Sequence, residues 1–281
     1  MIKSWIEAMR LRTLPVSIAG VITAVGFAIS DHSFRWLPAL LCLLFAMLAQ
    51  IASNFANEYY DFRDGLDRAG REGPRRGVTE GDITPGAMKH ATYAVLGAAC
   101  VIGLSLIHWG GWWLLPAGIV IALGAIAYSA GPYPLSRHGL GEVAVICFFG
   151  IIPVNLTYYI QAETFTLPVL LGSVAIGLMG ANVLIVNNYR DADDDAAVGK
   201  NTLAVMLGRR SVLAIYLING IAAALLMLPY TPWAITAIYL IAHGCLWNFV
   251  RTHRGAALNP ILGMTAILMF VYSVAFTISA A

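Results

Sequence analysis

Charged residues are scarce in this sequence. Lys, Arg, Asp and Glu make up 11% of its 281 residues, whereas soluble domains average about 25%. Hydrophobic residues account for 59%, and the mean hydropathy is +0.75. The polar stretches between the apolar runs are too short to fold by themselves. The composition therefore excludes a soluble enzyme and predicts one membrane-embedded domain over residues 1–281.

Cysteine is also scarce, and its spacing indicates neither disulfides nor a metal site. The sequence has four cysteines, all inside apolar runs and none in a C-x-x-C pair: Cys42, Cys100, Cys147 and Cys245. This excludes a disulfide framework and a cysteine metal site, and predicts small apolar packing residues. Alternation of apolar and polar residues at every second position is missing as well, which excludes a membrane β-barrel.

Long apolar runs dominate what remains. A helical run of about 20 apolar residues matches the thickness of the hydrocarbon core, and helices satisfy their own backbone polar groups there. The sequence predicts an all-α polytopic membrane protein with nine spans. These spans are 13–30, 36–57, 86–108, 112–130, 141–161, 166–188, 210–228, 231–249 and 260–280.

Basic residues are sorted by side in this nine-span arrangement. Sixteen of the 17 Lys and Arg residues fall on one side, and Arg35 alone falls on the other. Cytoplasmic loops are enriched in Lys and Arg, so this side is predicted to be cytoplasmic, together with the N-terminus. An eight-span arrangement would destroy the asymmetry, which independently favours nine.

Acidic residues gather in two clusters at the predicted cytoplasmic ends of the second and sixth spans. The first is NEYYDFRDGLDR (57–68) and the second is NNYRDADDDAAVGKNTL (187–203). Both contain Asn-x-x-x-Asp, a spacing that places the two side chains on one helix face. The residues predicted to share a face are Asn57, Asp61 and Asp64 in the first cluster and Asn187, Asp191 and Asp195 in the second.

Basic residues accompany both acidic clusters. Carboxylate and amide oxygens suit Mg²⁺, which is usually bound by few protein carboxylates together with substrate phosphate. Arginine and lysine suit the remaining phosphate oxygens. The basic residues concerned are Arg71, Arg75, Arg76, Arg190, Lys200 and Arg209. Solvated loops are the ordinary alternative, but the repeated unit on one side favours a metal-bound diphosphate site.

The two clusters resemble the aspartate-rich motifs of UbiA-type intramembrane prenyltransferases. Three further stretches resemble the branch that prenylates 1,4-dihydroxy-2-naphthoate: AMRLRTLPVSIAG at the start, AYSAGPYPLSRHGLGEVAV at 127–145 and FFGIIPVNLTYYIQ at 148–161. The motifs cover residue 8 to about residue 210, and the number of spans extends the resemblance over the rest of the chain.

This resemblance implies a nine-helix bundle around a central cavity in the cytoplasmic (inner) membrane. The implied reaction is Mg²⁺-dependent transfer of a polyprenyl group from its diphosphate to 1,4-dihydroxy-2-naphthoate. The ring carboxylate is lost at the carbon that receives the chain, which gives a demethylmenaquinol. The implied partners are polyprenyl diphosphate, the aromatic acceptor and membrane lipid, without nucleic acid or an obligate protein partner.

The resemblance also assigns residues. The expected metal ligands are Asn57, Asp61, Asp67, Asp191 and Asp195, with Asp64 left open. The expected diphosphate and substrate contacts are Arg71, Arg76, Lys200 and Asn187, with Arg12 as either a further contact or a membrane-surface anchor. Tyr128 is expected to shield the allylic cation with its ring. Acceptor-side candidates are His138, Glu142 and Asn155. Asp61, Asp191, Lys200 and Tyr128 form the expected catalytic set.

Two alternatives stay open from the sequence. The first is the same chemistry on another ring, such as 4-hydroxybenzoate or homogentisate. The second is an ion-coupled transporter, which also uses intramembrane carboxylates but places them near the bilayer midplane on broken helices. Here the acids lie at the ends of spans and are mixed with bases, which favours the enzyme.

Overall fold

The computed structural model describes residues 2–67 and 73–281. Over these residues the regular structure is helical, apart from one isolated bridge between His138 and Asn201. The helices are α1 Ile2–Met9, α2 Leu14–Ser30, α3 Trp36–Arg63, α4 Pro85–Ser105, α5 Ile107–Gly110, α6 Leu114–Ala127, α7 Gly141–Val145, α8 Ile152–Ala162, α9 Leu167–Ala197, α10 Leu203–Met227, α11 Trp233–Thr252 and α12 Asn259–Ser279. A π-helical segment, Ile146–Ile151, joins α7 and α8 into one span.

The predicted fold class is confirmed. Among the described residues, eight helical stretches are long and apolar enough to cross a membrane. Each of the nine predicted spans coincides with a helix, but α6 has only 14 residues. At 1.5 Å per residue it extends about 21 Å, less than the hydrocarbon core of about 30 Å. Span 112–130 was thus predicted too long, because apolar flanking residues extend the run beyond the helix.

Two helices continue past the ends of their predicted spans. α3 ends at Arg63 and not at residue 57, and α9 ends at Ala197 and not at residue 188. Both helices stop just before a glycine with left-handed backbone, Gly65 (φ 71°) and Gly199 (φ 72°). Hydropathy locates the part of a helix that fits in lipid, whereas the helix itself continues into the polar motif. The acidic clusters therefore lie largely on the last turns of these two helices.

α9 lies at the centre of the bundle, where it packs against α2, α10, α12 and the π-helical segment. Small residues allow the backbones to approach closely, as is common between membrane helices. A Cβ at Gly177 of α9 would lie 2.8 Å from the Ile146 carbonyl oxygen, and one at Gly150 would collide with the α9 backbone at Ser173. This close packing fixes α9, and with it the second acidic cluster, relative to α7 and α8.

Candidate active site

The first acidic cluster is built around the amide of Asn57, which is buried one helical turn before Asp61. Its Nδ2 donates to Asp61 Oδ2 at 3.0 Å and to Ser129 Oγ at 3.0 Å. Its Oδ1 accepts from Arg76 Nη2 at 3.2 Å and also from Arg10. One amide thus connects α3 with the α1–α2 junction, the 73–84 loop and the end of α6.

Asp67 returns to the same cluster through a tight turn. The left-handed Gly65 lets the chain fold back, so that the Leu66 and Asp67 N–H groups both donate to the Asp61 carbonyl, at 2.8 and 3.3 Å. The Asp67 carboxylate pairs with Arg76 at 3.4 Å, and both side chains are largely buried. The predicted pair Asp61 and Asp67 therefore lies together with Arg76.

Glu58 is held by the backbone of the 73–84 loop. It is 1% exposed, and its Oε1 accepts from the Val78 backbone N–H at 3.0 Å. This bond ties the loop that carries Arg76 to α3. The contact gives Glu58 a structural role at the first cluster.

Arg137 was not selected from the sequence, yet it reaches the cluster from the loop before α7. Its Nη1 lies 2.7 Å from Asp64 Oδ2, and its Nη2 lies 3.5 Å from Asp61 Oδ1 and 2.9 Å from the Ser129 carbonyl. Arg63 and Arg137 hold the pKa of Asp64 below its usual range by hydrogen bonding and charge. The only sequence signal for Arg137 was a basic residue on the predicted side of the motifs.

The second acidic cluster is organised by Arg190, whose side chain is 1% exposed. Its Nε and Nη2 donate to the two oxygens of Asp191 at 2.6 and 2.7 Å. It also donates to Asn187 Oδ1 at 2.9 Å and to Asn259 Oδ1 at 2.9 Å. The predicted residues Asn187 and Asp191 are thus brought together, with Arg190 between them.

The end of α9 separates its remaining acids. Lys200 approaches Asp195, with Nζ 3.6 Å from Oδ1, and its backbone N–H donates to the Asp195 carbonyl at 2.9 Å. Asp193 faces outward, where Arg209 binds it through two contacts of 3.0 Å. Asp195 and Lys200 therefore extend the buried stripe, whereas Asp193 lies on the opposite face.

A loop connection brings the two clusters to the same end of the bundle. The Asn201 N–H donates to the Arg137 carbonyl at 3.1 Å, next to the His138–Asn201 bridge. Tyr128 lies within electrostatic reach of both Asp61 on α3 and Asp195 on α9. The predicted convergence of the two motifs is therefore present in the fold.

The carboxylate and amide oxygens of the two clusters suit a hard cation by their chemistry. In residues 2–67 and 73–281, no group of three His, Cys, Asp or Glu side chains is gathered for a metal. The carboxylates instead face arginine and lysine, as described above for Asp61, Asp67, Asp191 and Asp195. Carboxylate and amide oxygens are nevertheless the ligands that Mg²⁺ takes, and the cations facing them suit phosphate. Ligation by these residues and Asn57 stays a prediction.

An apolar cavity of about 390 Å³ opens beside the first cluster. It runs between α3, α4, α6 and the α7–α8 span, from Ser53 and Tyr128 to Leu106, Leu114 and Ile160. Tyr128 marks its polar end, one residue before the Ser129 hydroxyl that Asn57 contacts. A chain of hydrocarbon attached to a charged head would fit this combination of cavity and cluster.

Two of the predicted basic residues, Arg12 and Arg71, are not among the cluster contacts described above. Arg12 is exposed, whereas Arg10, two residues earlier, contacts Asn57. The reason is that Arg10 takes a left-handed conformation (φ 52°) that ends α1 and directs its side chain to α3. Arg10 was not selected from the sequence, and both predicted roles of Arg12 stay open. Arg71 lies outside the described residues.

Two of the acceptor-side candidates are engaged locally. His138 stacks on Tyr133, with ring centroids 3.7 Å apart, and its Nδ1 lies 2.8 Å from the Pro134 carbonyl. Asn155 donates to the Ile151 carbonyl of its own span at 2.8 Å. Each of these two side chains is therefore held by a backbone carbonyl four residues earlier in the chain.

Glu142 differs from these two because it is buried beside Tyr128. Its carboxylate is 6% exposed, and its Oε1 accepts from Asn188 Nδ2 on α9 at 2.8 Å. The Tyr128 hydroxyl lies near the neighbouring Gly141, 3.6 Å from where a Cβ of that residue would be. Asn188 was not selected from the sequence, since its neighbour Asn187 carries the Asn-x-x-x-Asp spacing.

Comparison with known proteins agrees with this arrangement. The model of the UbiA prenyltransferase family matches residues 19–274. The chain belongs to this family. It is 31% identical to a 1,4-dihydroxy-2-naphthoate octaprenyltransferase of Haemophilus influenzae over 99% of this chain and 95% of that protein. It is 38% identical to the protein of that name from Escherichia coli, over 73% of this chain and 69% of the relative.

The fold is shared with a solved structure of the same family. A UbiA homolog from Archaeoglobus fulgidus, bound to DMAPP and Mg²⁺, has a TM-score of 0.68 at 16% identity, and the match covers 98% of this chain and 99% of that one. The predicted family, a multi-pass membrane prenyltransferase, is confirmed, and the transporter alternative is set aside.

Proposed function

We propose that this enzyme transfers a polyprenyl group from polyprenyl diphosphate to 1,4-dihydroxy-2-naphthoate, with loss of the ring carboxylate. The observation that carries the proposal is the position of two buried acidic clusters, each paired with Arg or Lys, at the same end of the bundle. The first of them lies beside the polar end of an apolar cavity. The names of the relatives from Haemophilus influenzae and Escherichia coli support this acceptor over 4-hydroxybenzoate or homogentisate.

The diphosphate is proposed to bind between α3 and α9. Arg76, Arg137 and Lys200 pair with carboxylates there, and Arg10 donates to Asn57 Oδ1. Each would exchange its present partner for a phosphate oxygen. When bound by Asn57, Asp61, Asp67, Asp191 and Asp195, Mg²⁺ would neutralise the charge of the leaving diphosphate. The Mg²⁺ and DMAPP bound by the Archaeoglobus fulgidus homolog support this assignment.

The cavity is proposed to hold the prenyl tail. Its apolar lining excludes water from the allylic carbon, which becomes cationic as the bond to diphosphate breaks. The ring of Tyr128 lies at the junction between cavity and charged cluster, where a π-face stabilises such a cation. The sorting of basic residues supports a cytoplasmic position for this end of the bundle.

The acceptor is tested by product mass with one prenyl donor and a panel of rings. In proteoliposomes with Mg²⁺ and a polyprenyl diphosphate, 1,4-dihydroxy-2-naphthoate is expected to give a prenylated product lacking the mass of CO₂, with one diphosphate released per product. The control acceptors are 4-hydroxybenzoate and homogentisate at equal concentration. Turnover of either control above that of the naphthoate would contradict the proposed acceptor.

A further inference from the structure

Glu142 presents a buried carboxylate that the diphosphate site does not use. One of its oxygens is held by Asn188 on α9, as described above. The other, Oε2, is buried and has no hydrogen-bond partner within residues 2–67 and 73–281. Buried polar atoms are nearly always paired, so an unpaired carboxylate oxygen requires an explanation. A ligand hydroxyl is one group that would satisfy it.

The surroundings of Glu142 distinguish it from the other acids. The described hydrogen-bond partner of its side chain is a neutral amide, whereas Asp61 and Asp191 each face a guanidinium. The contact with Asn188 orients the carboxylate without neutralising its charge. A carboxylate of this kind is suited to accept a proton, because hydrogen bonding to Arg would lower its basicity.

Its position also matches the place where an acceptor ring must lie. Ala144 and Val145, which follow Glu142 on α7, line the apolar cavity, as does Tyr128. Tyr128 also lies beside the start of α7, because its hydroxyl oxygen would be 3.6 Å from a Cβ at Gly141, the residue before Glu142. A ring that attacks the allylic carbon at the polar end of this cavity would be adjacent to Tyr128 and hence to Glu142.

We propose that Glu142 is the catalytic residue that accepts, and later returns, the proton of the acceptor hydroxyl next to the ring carboxylate. Asn188 is the positioning residue that orients the carboxylate. This inference rests on the proposed function and deepens it, since it explains why a hydroxynaphthoate serves as acceptor.

The ring hydroxyl proton moves to Glu142 Oε2, its oxygen becomes a carbonyl, and the carboxylate-bearing carbon forms a bond to the allylic carbon. The allylic C–O bond breaks, and its electron pair leaves with the diphosphate. The new carbonyl is β to the carboxylate, so the C–CO₂ bond breaks and its electron pair forms an enolate. Glu142 then returns its proton to this oxygen, which restores the hydroxyl and the aromatic ring.

The experiment compares Glu142→Gln with wild type in proteoliposomes, using Mg²⁺, a polyprenyl diphosphate and 1,4-dihydroxy-2-naphthoates of graded hydroxyl acidity. For the parent acceptor, kcat/KM should fall about 10²–10⁴-fold, the usual contribution of general acid–base catalysis. The loss should shrink as electron-withdrawing substituents make the hydroxyl more acidic, and KM for the prenyl donor should stay within twofold. Asn188→Leu keeps the Glu142 carboxylate but removes the hydrogen bond that orients it. This variant should lose less kcat/KM than Glu142→Gln, and its loss should also shrink as the acceptor hydroxyl becomes more acidic.

The matched control is Glu163→Gln, a carboxylate-to-amide change beyond the C-terminal end of α8, where Glu163 pairs with Arg35. It should behave as wild type. A loss in Glu142→Gln that is equal for all acceptors, an activity within threefold of wild type, or a large rise in the donor KM would each overturn the role of Glu142. Wild-type protein that prenylates no naphthoate would overturn the proposed function itself, and this inference with it.

Discussion

Replacing Asp61 or Asp191 with asparagine is expected to lower kcat/KM for prenyl transfer by at least about 10²–10³-fold, the cost of removing one group that stabilises transition-state charge. Each substitution removes the charge of an expected metal ligand but keeps its shape. Asn57 Nδ2 can still donate to an amide oxygen at residue 61, so the first cluster keeps its hydrogen bond. Turnover is measured in proteoliposomes at saturating Mg²⁺.

Substitution of Asp191 in the second cluster should also lower the stability of the protein. Asp191→Asn leaves the buried guanidinium of Arg190 without its charged partner, so this variant should also unfold at a lower temperature than Asp61→Asn. Asp193→Asn is the matched control, because Asp193 is in the same acidic run but pairs with Arg209 on the exposed face. Near-normal activity of either Asp61→Asn or Asp191→Asn would contradict the diphosphate site.

Filling the cavity is expected to change which prenyl donors are accepted. Gly118 of α6 lines the cavity, and a Cβ built there meets no atom within 4 Å. It lies ten residues before Tyr128, about 15 Å along the helix. A phenylalanine at this position should occupy the end of the cavity far from the diphosphate without disturbing the backbone.

Gly118→Phe should therefore retain activity with geranyl diphosphate and lose on the order of 100-fold in kcat/KM with a long polyprenyl diphosphate, since each buried CH₂ contributes about 0.8 kcal/mol. Gly97→Phe is the control: it is also a helical glycine with open space, but it does not line the cavity. An equal loss with both donors would place the tail outside this cavity.

Much of the architecture was predictable because the bilayer imposes it. Run length and the sorting of basic residues predicted nine spans, and a helix overlies each of them. The ends of α3 and α9 were not predictable from hydropathy, because a helix continues into polar sequence until a residue such as Gly65 allows the chain to turn. Hydropathy also predicted too long a span around α6, because the residues that flank this helix are apolar as well.

The two acidic clusters differed in how far their side-chain contacts could be predicted from the sequence. In the second, Arg190 contacts Asn187 three residues earlier on the same helix, and this contact follows from helical spacing. The first is completed by Arg10 and Arg137, which are distant in sequence from Asp61 and arrive through a left-handed turn and a loop. Spacing contains no information about such contacts, so Arg10 and Arg137 were not selected from the sequence.

The most direct test is an experimental structure of the full chain with Mn²⁺, in place of Mg²⁺, and a non-hydrolysable prenyl thiodiphosphate. Anomalous scattering from Mn²⁺ should appear between the Asn57–Asp61 turn of α3 and the Asp191–Asp195 turn of α9. The prenyl tail should follow the cavity from Tyr128 toward Leu114. Metal at only one cluster, or a tail outside this cavity, would contradict the claim that the two motifs form one diphosphate site.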